Sequence, residues 1–222
     1  MEIMIKPLTP ELINDYFDFF DHRAFPDDSP FYPCYCNAYN MSLLQIKEQL
    51  FARLQKYGGG ADVWKRVLRE SAWNMVNSGR IKGYLAYHDG LSIGWCNAND
   101  RLNYYRVGEF NMDDIPEDKP PLDCPDKGYV KSIVCFEISP DYRGMGIAGR
   151  ILERICKDAS EEGYAFVEAY PMDHVNDNSL AFTGPLRLYE KFGFREYKRI
   201  GSTIVVRKDL NKLLTHWIQS SP

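Results

Sequence analysis

A glycine-rich stretch between two apolar patterns carries the clearest chemical signal in this sequence. Residues 143–149 read Arg-Gly-Met-Gly-Ile-Ala-Gly and follow the β-branched and aromatic run 133–138, which predicts a buried strand. Glycine tolerates positive φ and lets backbone approach a ligand closely. Apolar residues then repeat at intervals of three and four over 147–159, which predicts a helix. Because bare N–H groups at a helix N-terminus bind anions, we interpret this turn as a pyrophosphate cradle.

The same glycines fit a dinucleotide-binding pattern less well. Gly144 to Gly149 satisfies G-x-G-x-x-G, and Glu168 follows at about the distance of a ribose-binding acid. However, five residues separate the strand from the first glycine, and the chain before Val130 reads as an antiparallel hairpin. A triphosphate-binding P-loop is excluded because no Gly-Lys-Ser or Gly-Lys-Thr follows. A dinucleotide enzyme remains open as an alternative.

Two motifs in a fixed order resemble the GNAT superfamily of acyl-CoA-dependent N-acyltransferases. Arg143-x-x-Gly146-x-Ala148 is similar to the superfamily signature Gln/Arg-x-x-Gly-x-Gly/Ala, and Leu188-Tyr-Glu-Lys-Phe-Gly-Phe194 is similar to its Leu-Tyr-x-x-x-Gly-Phe segment. The resemblance covers roughly residues 130–207. It implies a mixed α/β fold, a single GNAT-like domain with a central, mostly antiparallel twisted sheet, whose fourth and fifth strands splay apart and whose faces are covered by helices.

The resemblance also implies acetyl-CoA as the cosubstrate and assigns residues to it. Backbone amides of Phe136, Glu137 and Ile138 would hold the pantetheine and polarise the thioester carbonyl. Asn178 would contact the pantetheine, with surface capping as its alternative role. The phosphates would be held mainly by main-chain groups of Arg143, Gly144, Met145, Gly146, Ile147, Ala148 and Gly149.

Amide formation from a thioester requires a neutral amine, support for the oxyanion and a proton for the leaving thiolate. Tyr189 aligns with the superfamily's tyrosine that protonates the thiolate. A tyrosine with a pKa of about 10 can donate to a thiolate whose thiol has a pKa of about 8.5 without ionising at neutral pH. The alternative is a core tyrosine on the apolar side of a short helix.

The general base is open at the level of sequence. Glu137 beside the acyl site and Glu168 on the neighbouring strand are the two candidates. Glu137 has the opposite strand parity to Phe136 and Ile138, so its side chain is expected on the other face of the sheet. An amine that arrives neutral, or a chain of water molecules, is the default alternative.

Length and composition bound the class of protein. The 222 residues are 45% hydrophobic and 14% aromatic, which predicts one domain over 1–222, with a helical and irregular insertion at 21–80 and an acidic loop insertion at 99–128. A net charge of −4 argues against a nucleic-acid partner. No apolar run has the length of a membrane span and the first residues do not read as a signal peptide, so we expect a cytoplasmic protein. We expect its six cysteines to be reduced. We also expect a monomer or a homodimer.

The order of elements is consistent with the resemblance. A strand at 2–6 and a helix at 11–20 come first, followed by helices at 42–57, with Ser42 as N-cap, and at 62–77. An Asp-Gly turn predicts a hairpin of 81–87 and 91–98. After the central strand, turn and helix, we expect a strand at 164–170, a short helix ending near Phe192, a closing hairpin and a terminal helix at 210–219.

Three other features have weaker chemical meanings. Cys34-Tyr-Cys36 lacks the spacing and the partner pair of a zinc site, so no metal is predicted. The aromatic segment 31–39 and Trp95-Cys-Asn97 are candidates to line the acceptor pocket, with plain packing as the alternative. The acidic residues of 113–126, with Asp27 and Asp28, either attract cationic substrates or form a solvated loop.

The sequence therefore predicts transfer of an acetyl group from acetyl-CoA to a primary amine, on a small molecule or a peptide, by direct attack in a ternary complex. A non-catalytic acyl-CoA-binding or sensor module is the alternative from a different class.

Overall fold

The computed structural model describes residues 1–25, 32–107, 129–172, 182–201 and 203–210. Within these ranges seven strands form one sheet in the order β1-β2-β3-β4-β5-β7-β6. β4 and β5 are parallel and the other neighbours are antiparallel, which confirms the predicted mixed α/β fold. The strands are β1 Met4–Pro7, β2 Gly83–His88, β3 Leu91–Asp100, β4 Val130–Ile138, β5 Phe166–Ala169, β6 Arg195–Ile200 and β7 Thr203–Asp209.

The helices begin and end close to the positions that the sequence signals predict. They are α1 Ile13–His22, α2 Leu43–Ile46, α3 Ala52–Tyr57, α4 Ala61–Asn77, α5 Ile147–Glu161 and α6 Leu186–Lys191. Ser42 caps α2 in a capping box, in which its hydroxyl accepts from Gln45 N and the Gln45 side chain accepts from Ser42 N. The predicted single helix over 42–57 is interrupted by a π-helical stretch, Lys47–Phe51. None of these helices has the length and apolar character needed to span a membrane.

The two faces of the sheet carry different helices. α5 covers one face, where its apolar stripe packs with Phe136 of β4 and Val167 of β5. α1 and α4 cover the opposite face around Trp95, which is fully buried. Tyr16 of α1 meets the Trp95 ring edge to face at 4.9 Å. The central strands therefore separate two apolar cores.

β4 contains a bulge that decides which side chains face which core. Its partner register to β3 shifts between Asn97↔Cys135 and Ala98↔Ile133, so Val134 is the extra residue. Ile133 and Phe136 both face α5, whereas Val134 and Cys135 face the opposite side. Glu137, two residues beyond Cys135, shares that opposite side.

β4 and β5 pair over only part of their length. The parallel register runs from Val130↔Phe166 to Ile133↔Ala169. Beyond Ile133, β4 continues to Ile138 beside β3, while no described strand pairs with its other edge. This is the unpaired wedge that the predicted splay requires. Several sequence predictions lie outside the described residues, namely Asn178, the acidic residues Asp27, Asp28 and 113–126, the first residue of the aromatic segment 31–39 and the terminal helix beyond Leu210.

Candidate active site

The glycine-rich turn presents a row of main-chain donors. A 3-10 turn, Pro140–Tyr142, follows β4, and α5 begins at Ile147 with Gly146 as N-cap. The first backbone hydrogen bond of α5 runs from Arg150 N to Gly146 O at 3.2 Å. Within the described residues no backbone acceptor meets the N–H groups of Gly144 to Gly149. This is the anion-binding arrangement of a helix N-terminus.

The glycines of this turn serve two different purposes. Gly144 and Gly146 have φ of +77° and +78°, and a Cβ added to either would meet nothing within 4 Å. They are required by backbone conformation and leave the space over the amides open. Gly149 differs, because its added Cβ would lie 3.0 Å from the Phe192 ring. Its missing side chain allows α5 to approach the segment after α6, while its N–H stays open.

The wedge edge of β4 offers further donors, but from alternate residues only. Ser139 N donates to Ile93 O at 2.9 Å, and the register is unbroken from there through Trp95↔Glu137. In an antiparallel pair the bonded residues alternate, so the N–H of Glu137 points to β3 while those of Phe136 and Ile138 point into the wedge. The expectation that the amide of Glu137 also faces the cofactor is therefore not supported, and only its side chain remains a candidate.

The Glu137 carboxylate is nearly enclosed and has one cationic partner. Its side chain is 12% exposed, and Arg143 Nη2 donates to its Oε1 at 2.9 Å. Arg143 Nε also donates to Ile138 O at 2.9 Å, so this side chain turns back from the glycine-rich turn to the end of β4. Burial raises the pKa of Glu137 to about 7, although Arg143 lowers it. A carboxyl that titrates near neutral pH is suited to accept a proton.

Glu168 has a different environment. It is fully buried and forms ion pairs with Arg101 and Arg207. The Tyr170 hydroxyl donates to Glu168 Oε1 and also contacts Ser132 and Arg101. Glu168 lies opposite Ser132 in the paired part of β4 and β5. The carboxylate oxygens thus have structural partners, and this arrangement does not favour Glu168 as the base.

Tyr189 lies on the α5 face of the sheet. Its side chain is fully buried, with the Phe136 ring centroid at 6.4 Å and that of Phe194 at 5.4 Å. The hydroxyl donates to Thr183 O, and Gly184 at φ +77° passes so close that an added Cβ would lie 3.0 Å from it. Burial raises the pKa of Tyr189 well above its usual value, so it keeps its proton. It packs beside the strand segment whose amides enter the wedge.

The side of β4 that carries Glu137 is packed against the irregular segment before α2. Tyr35, Cys36 and Asn37 in this segment are buried. Trp95 is part of the aromatic core, so the structure gives Trp95 the packing role. No group of three His, Cys, Asp or Glu side chains in the described ranges could hold a metal ion.

Several polar contacts at this site were not predicted from the sequence. The Arg143–Glu137 pair joins the end of β4 to the turn that follows it. The arginines around Glu168 and the contact of Asn97 Nδ2 with Cys36 Sγ at 3.3 Å join residues that are distant in sequence. Strand parity alone would have placed Glu137 and Cys135 on one face. The other contacts depend on how loops cross the sheet, and no periodicity signals them.

Comparisons with known proteins agree with this geometry. The family model of the acetyltransferase (GNAT) domain matches residues 80–196. Among curated proteins none matches the sequence. Of the solved structures, the GNAT domain of S. lividans PAT is 14% identical over 92% of this chain and 89% of its own, with a TM-score of 0.51.

Two further structures are similar at lower TM-score. An N-acetyltransferase from Staphylococcus aureus Mu50 is 15% identical, covering 95% of this chain and 99% of its own at a TM-score of 0.48. The PaiA N-acetyltransferase from Thermoplasma acidophilum, in complex with coenzyme A, is 14% identical, covering 94% and 99% at 0.48. At these identities the structures indicate the fold alone. The matched domain model spans more than half of the sequence, from the hairpin through the wedge and turn to β6, and the chain belongs to the GNAT acetyltransferase family.

Proposed function

We propose that this protein transfers an acetyl group from acetyl-CoA to a primary amine of a small molecule or a peptide. The observation that carries the proposal is two sets of open main-chain donors, those of Phe136 and Ile138 at the wedge edge of β4 and those of Gly144–Gly149 in the turn that follows. Neutral donors fixed in backbone suit a ligand with a diphosphate at one end and an amide-containing arm at the other.

In the proposed reaction the amine attacks the thioester carbonyl carbon directly. The Phe136 or Ile138 N–H supports the oxyanion, the carbon–sulfur bond then breaks, and the acetyl group remains on nitrogen. Glu137 receives the proton that the amine loses, directly or through water, because its pKa is raised to about 7. Tyr189 gives its proton to the leaving thiolate, which requires its hydroxyl to exchange Thr183 O for the sulfur.

Arg143 has a supporting role in this proposal. It bridges the glycine-rich turn and Glu137, so a bound diphosphate competes with the Glu137 carboxylate for its guanidinium. Drawing Arg143 toward the phosphates raises the pKa of Glu137 and makes it a stronger base once the cofactor has bound. Its side chain is 53% exposed, which weakens the pair through solvent screening.

The proposal is tested by calorimetry with acetyl-CoA and coenzyme A, followed by release of free thiol from acetyl-CoA across a panel of amines. A reaction without amine measures hydrolysis and is subtracted. Micromolar to low-millimolar binding and amine-dependent thiol release are expected. No binding of either nucleotide at millimolar concentration would remove the cofactor assignment, and acetylated product without a primary amine would remove the acceptor class.

A second candidate is an acyl-CoA-binding module without an acceptor. The packing of Tyr35, Cys36 and Asn37 against the Glu137 side of β4 favours it, because this is where an amine has to arrive. This candidate predicts tight binding of acetyl-CoA and no amine-dependent thiol release. The same two experiments therefore distinguish the candidates.

We place the reaction in the cytoplasm. The described cysteines Cys34, Cys36, Cys96, Cys135 and Cys156 are all free thiols, as in a reducing compartment. Fractionation of cells that express the tagged chain would test this location.

A further inference from the structure

A cluster of thiols lies beside Glu137 and has no part in the proposed acetyl transfer. Cys34 and Cys36 come from the irregular segment before α2, and Cys135 comes from β4. Cys36 N donates to Cys34 Sγ at 3.3 Å, and Cys135 packs against the buried cluster that contains Cys36. Cys34 and Cys135 are partly exposed, while Cys36 is 4% exposed. Packing thus brings Cys36 and Cys135 together from two segments that are far apart in sequence.

The surroundings of Cys36 donate hydrogen bonds to its sulfur. Asn97 lies opposite Cys135 in the sheet, and its Nδ2 donates to Cys36 Sγ at 3.3 Å and to Cys36 O at 3.0 Å. The orientation of this amide is fixed because the Tyr104 hydroxyl donates to Asn97 Oδ1 at 2.8 Å. The carbonyl end is thereby occupied and the amino end faces the sulfur.

A second, independent observation points to the same sulfur. Trp95 is fully buried, and its Nε1 meets no acceptor at hydrogen-bond distance in the described part of the chain. Trp95 and Cys36 belong to the same buried cluster, and the Trp95 N–H lowers the pKa of that thiol. A buried donor without a partner is costly, and a negative charge on Cys36 would satisfy it. Cys36 itself has φ +52°, a strained conformation for a residue with a Cβ.

The thiols of this chain consequently differ in reactivity. The neighbouring Cys135 thiol lowers the pKa of Cys36, as do the Asn97 amide and the Trp95 N–H, although burial raises it. The neighbouring Cys36 thiol and burial raise the pKa of Cys135. Burial raises the pKa of Cys156 to about 11 and that of Cys34 to about 12. Burial and the Glu137 carboxylate oppose a negative charge on Cys36, whereas Cys135, Asn97 and Trp95 favour it.

We propose that Cys36 and Cys135 form an oxidation-sensitive dithiol that closes to a disulfide with hydrogen peroxide and so ties the segment at 32–37 to β4 beside Glu137. The Cys36 thiolate attacks one peroxide oxygen, the O–O bond breaks, and the leaving hydroxide takes a proton to become water. Cys135 sulfur then attacks the sulfur of the Cys36 sulfenic acid, and the hydroxyl leaves with the Cys135 proton as a second water. Two thiols and one peroxide yield one disulfide and two waters.

The disulfide has a consequence for turnover that rests on the proposed function. It fixes the segment that packs over the Glu137 side of β4, whereas the open amides of Gly144–Gly149 lie outside the crosslinked region. The oxidised protein is therefore expected to keep its affinity for acetyl-CoA and to lose amine-dependent thiol release.

The test treats the full chain carrying Cys124→Ser with micromolar hydrogen peroxide and maps products by peptide mass spectrometry. Cys124 is removed because it lies outside the described residues. The expected product is two hydrogens lighter and contains a Cys36–Cys135 linked peptide pair that dithiothreitol reverses. A Cys34–Cys36 link as the main product, first oxidation at Cys156, or no loss of free thiol at millimolar peroxide would each overturn the proposal.

A matched pair of variants tests the donor arrangement. Tyr104→Phe removes the hydroxyl that orients Asn97, and it is expected to slow oxidation of Cys36 by about threefold to tenfold, since a tenfold change in thiolate fraction is one pK unit. Tyr84→Phe changes another buried tyrosine, on β2, and is expected to leave the rate unchanged. Equal rates in the two variants would overturn the role of these donors.

Activity measurements on the oxidised protein separate the two proposals. A mapped disulfide with unchanged turnover would overturn the link to the acceptor side. Absence of turnover in the reduced protein would count against the proposed acetyl transfer, while the peptide map would still decide whether the dithiol exists.

Discussion

The unpaired edge of β4 and the face of β4 opposite α5 form different kinds of site. At the wedge edge of β4, Phe136 and Ile138 offer main-chain N–H groups, and the glycine-rich turn that follows offers those of Gly144–Gly149. On the face of the sheet opposite α5, Glu137 and Cys135 present side chains to a segment about a hundred residues earlier in the chain. The first site is contiguous in sequence and depends on backbone conformation. The second is assembled by long-range packing and depends on burial and hydrogen bonds.

The difference shows how each side responds to substitution. A main-chain site tolerates most side-chain changes and fails when the backbone or the open space is altered. A buried carboxyl or thiol depends on each neighbour, because its charge is stabilised by a few specific contacts. The following predictions test this contrast, from the largest expected effect to the smallest.

Gly146→Asp is expected to abolish binding of acetyl-CoA. The glycine has φ +78°, where a residue with a Cβ is strained, and an added carboxylate would repel the diphosphate. Affinity should fall at least about a hundredfold, where each 1.4 kcal/mol is tenfold. Gly163→Asp at the other end of α5 is the matched control, with φ +82° and equally open space. Calorimetry that finds equal losses in both variants would place the cofactor elsewhere.

Glu168→Gln is expected to destabilise the fold rather than slow the chemistry. It leaves Arg101 and Arg207 facing a neutral group in a buried site. Breaking a buried ion pair by removing one partner costs about 3–5 kcal/mol. The free energy of unfolding, measured by urea denaturation, should fall by an amount of this order. A stable variant with strongly reduced turnover would instead restore Glu168 as a candidate base.

Glu137→Gln is expected to lower turnover at pH 7 by about a hundredfold or more, with acetyl-CoA affinity nearly unchanged. The wild-type rate should rise through a pKa of about 7, and this limb should vanish in the variant. Stability gives a second measurement. The folded-state pKa of Glu137 is raised from 4.5, so the folded state holds its proton longer, and wild-type stability falls as pH rises from about 4.5 to 7. The variant should lack this fall.

Tyr189→Phe is expected to lower turnover by about tenfold, within the range of a lost proton donor, while acetyl-CoA affinity stays close to wild type. The lost bond to Thr183 O should cost about 1 kcal/mol of stability. Steady-state kinetics measures the turnover, and separate calorimetry measures the affinity for acetyl-CoA. An unchanged rate would leave Tyr189 with only the packing role that its contacts with Phe136 and Phe194 describe.

Arg143→Gln is expected to give the smallest effect, a shift of the rate profile to higher pH by less than about one unit, because the Arg143 side chain is half exposed and solvent screens its charge. Loss of the cation raises the pKa of Glu137, so the rate falls a few-fold at pH 7 and recovers near pH 9. Arg150→Gln is the control, since it removes a cation from the first turn of α5 and leaves the Arg143–Glu137 pair in place. A profile that does not move would show that Arg143 does not influence Glu137.

Much of the main-chain site could be predicted because its information is local. The glycines, the strand before them and the helix after them are adjacent in sequence, and each has a conformational reason to be there. The capping box at Ser42 and the Asp-Gly hairpin were predictable on the same basis. The role of Gly149 was harder to predict, because the Phe192 ring that leaves no room for a side chain there lies more than forty residues away in sequence.

The sequence by itself determined the order of elements, the positive-φ turn at Gly144 and Gly146, and the family resemblance carried by the two motifs. Tertiary structure decided the chemistry of the side chains. Whether Glu137 or Glu168 can accept a proton depends on Arg143 beside the first and on Arg101 and Arg207 beside the second, and on how much water each carboxylate retains. Backbone conformation is encoded by neighbouring residues, whereas a pKa is set by everything within a few ångströms, wherever it lies in the chain.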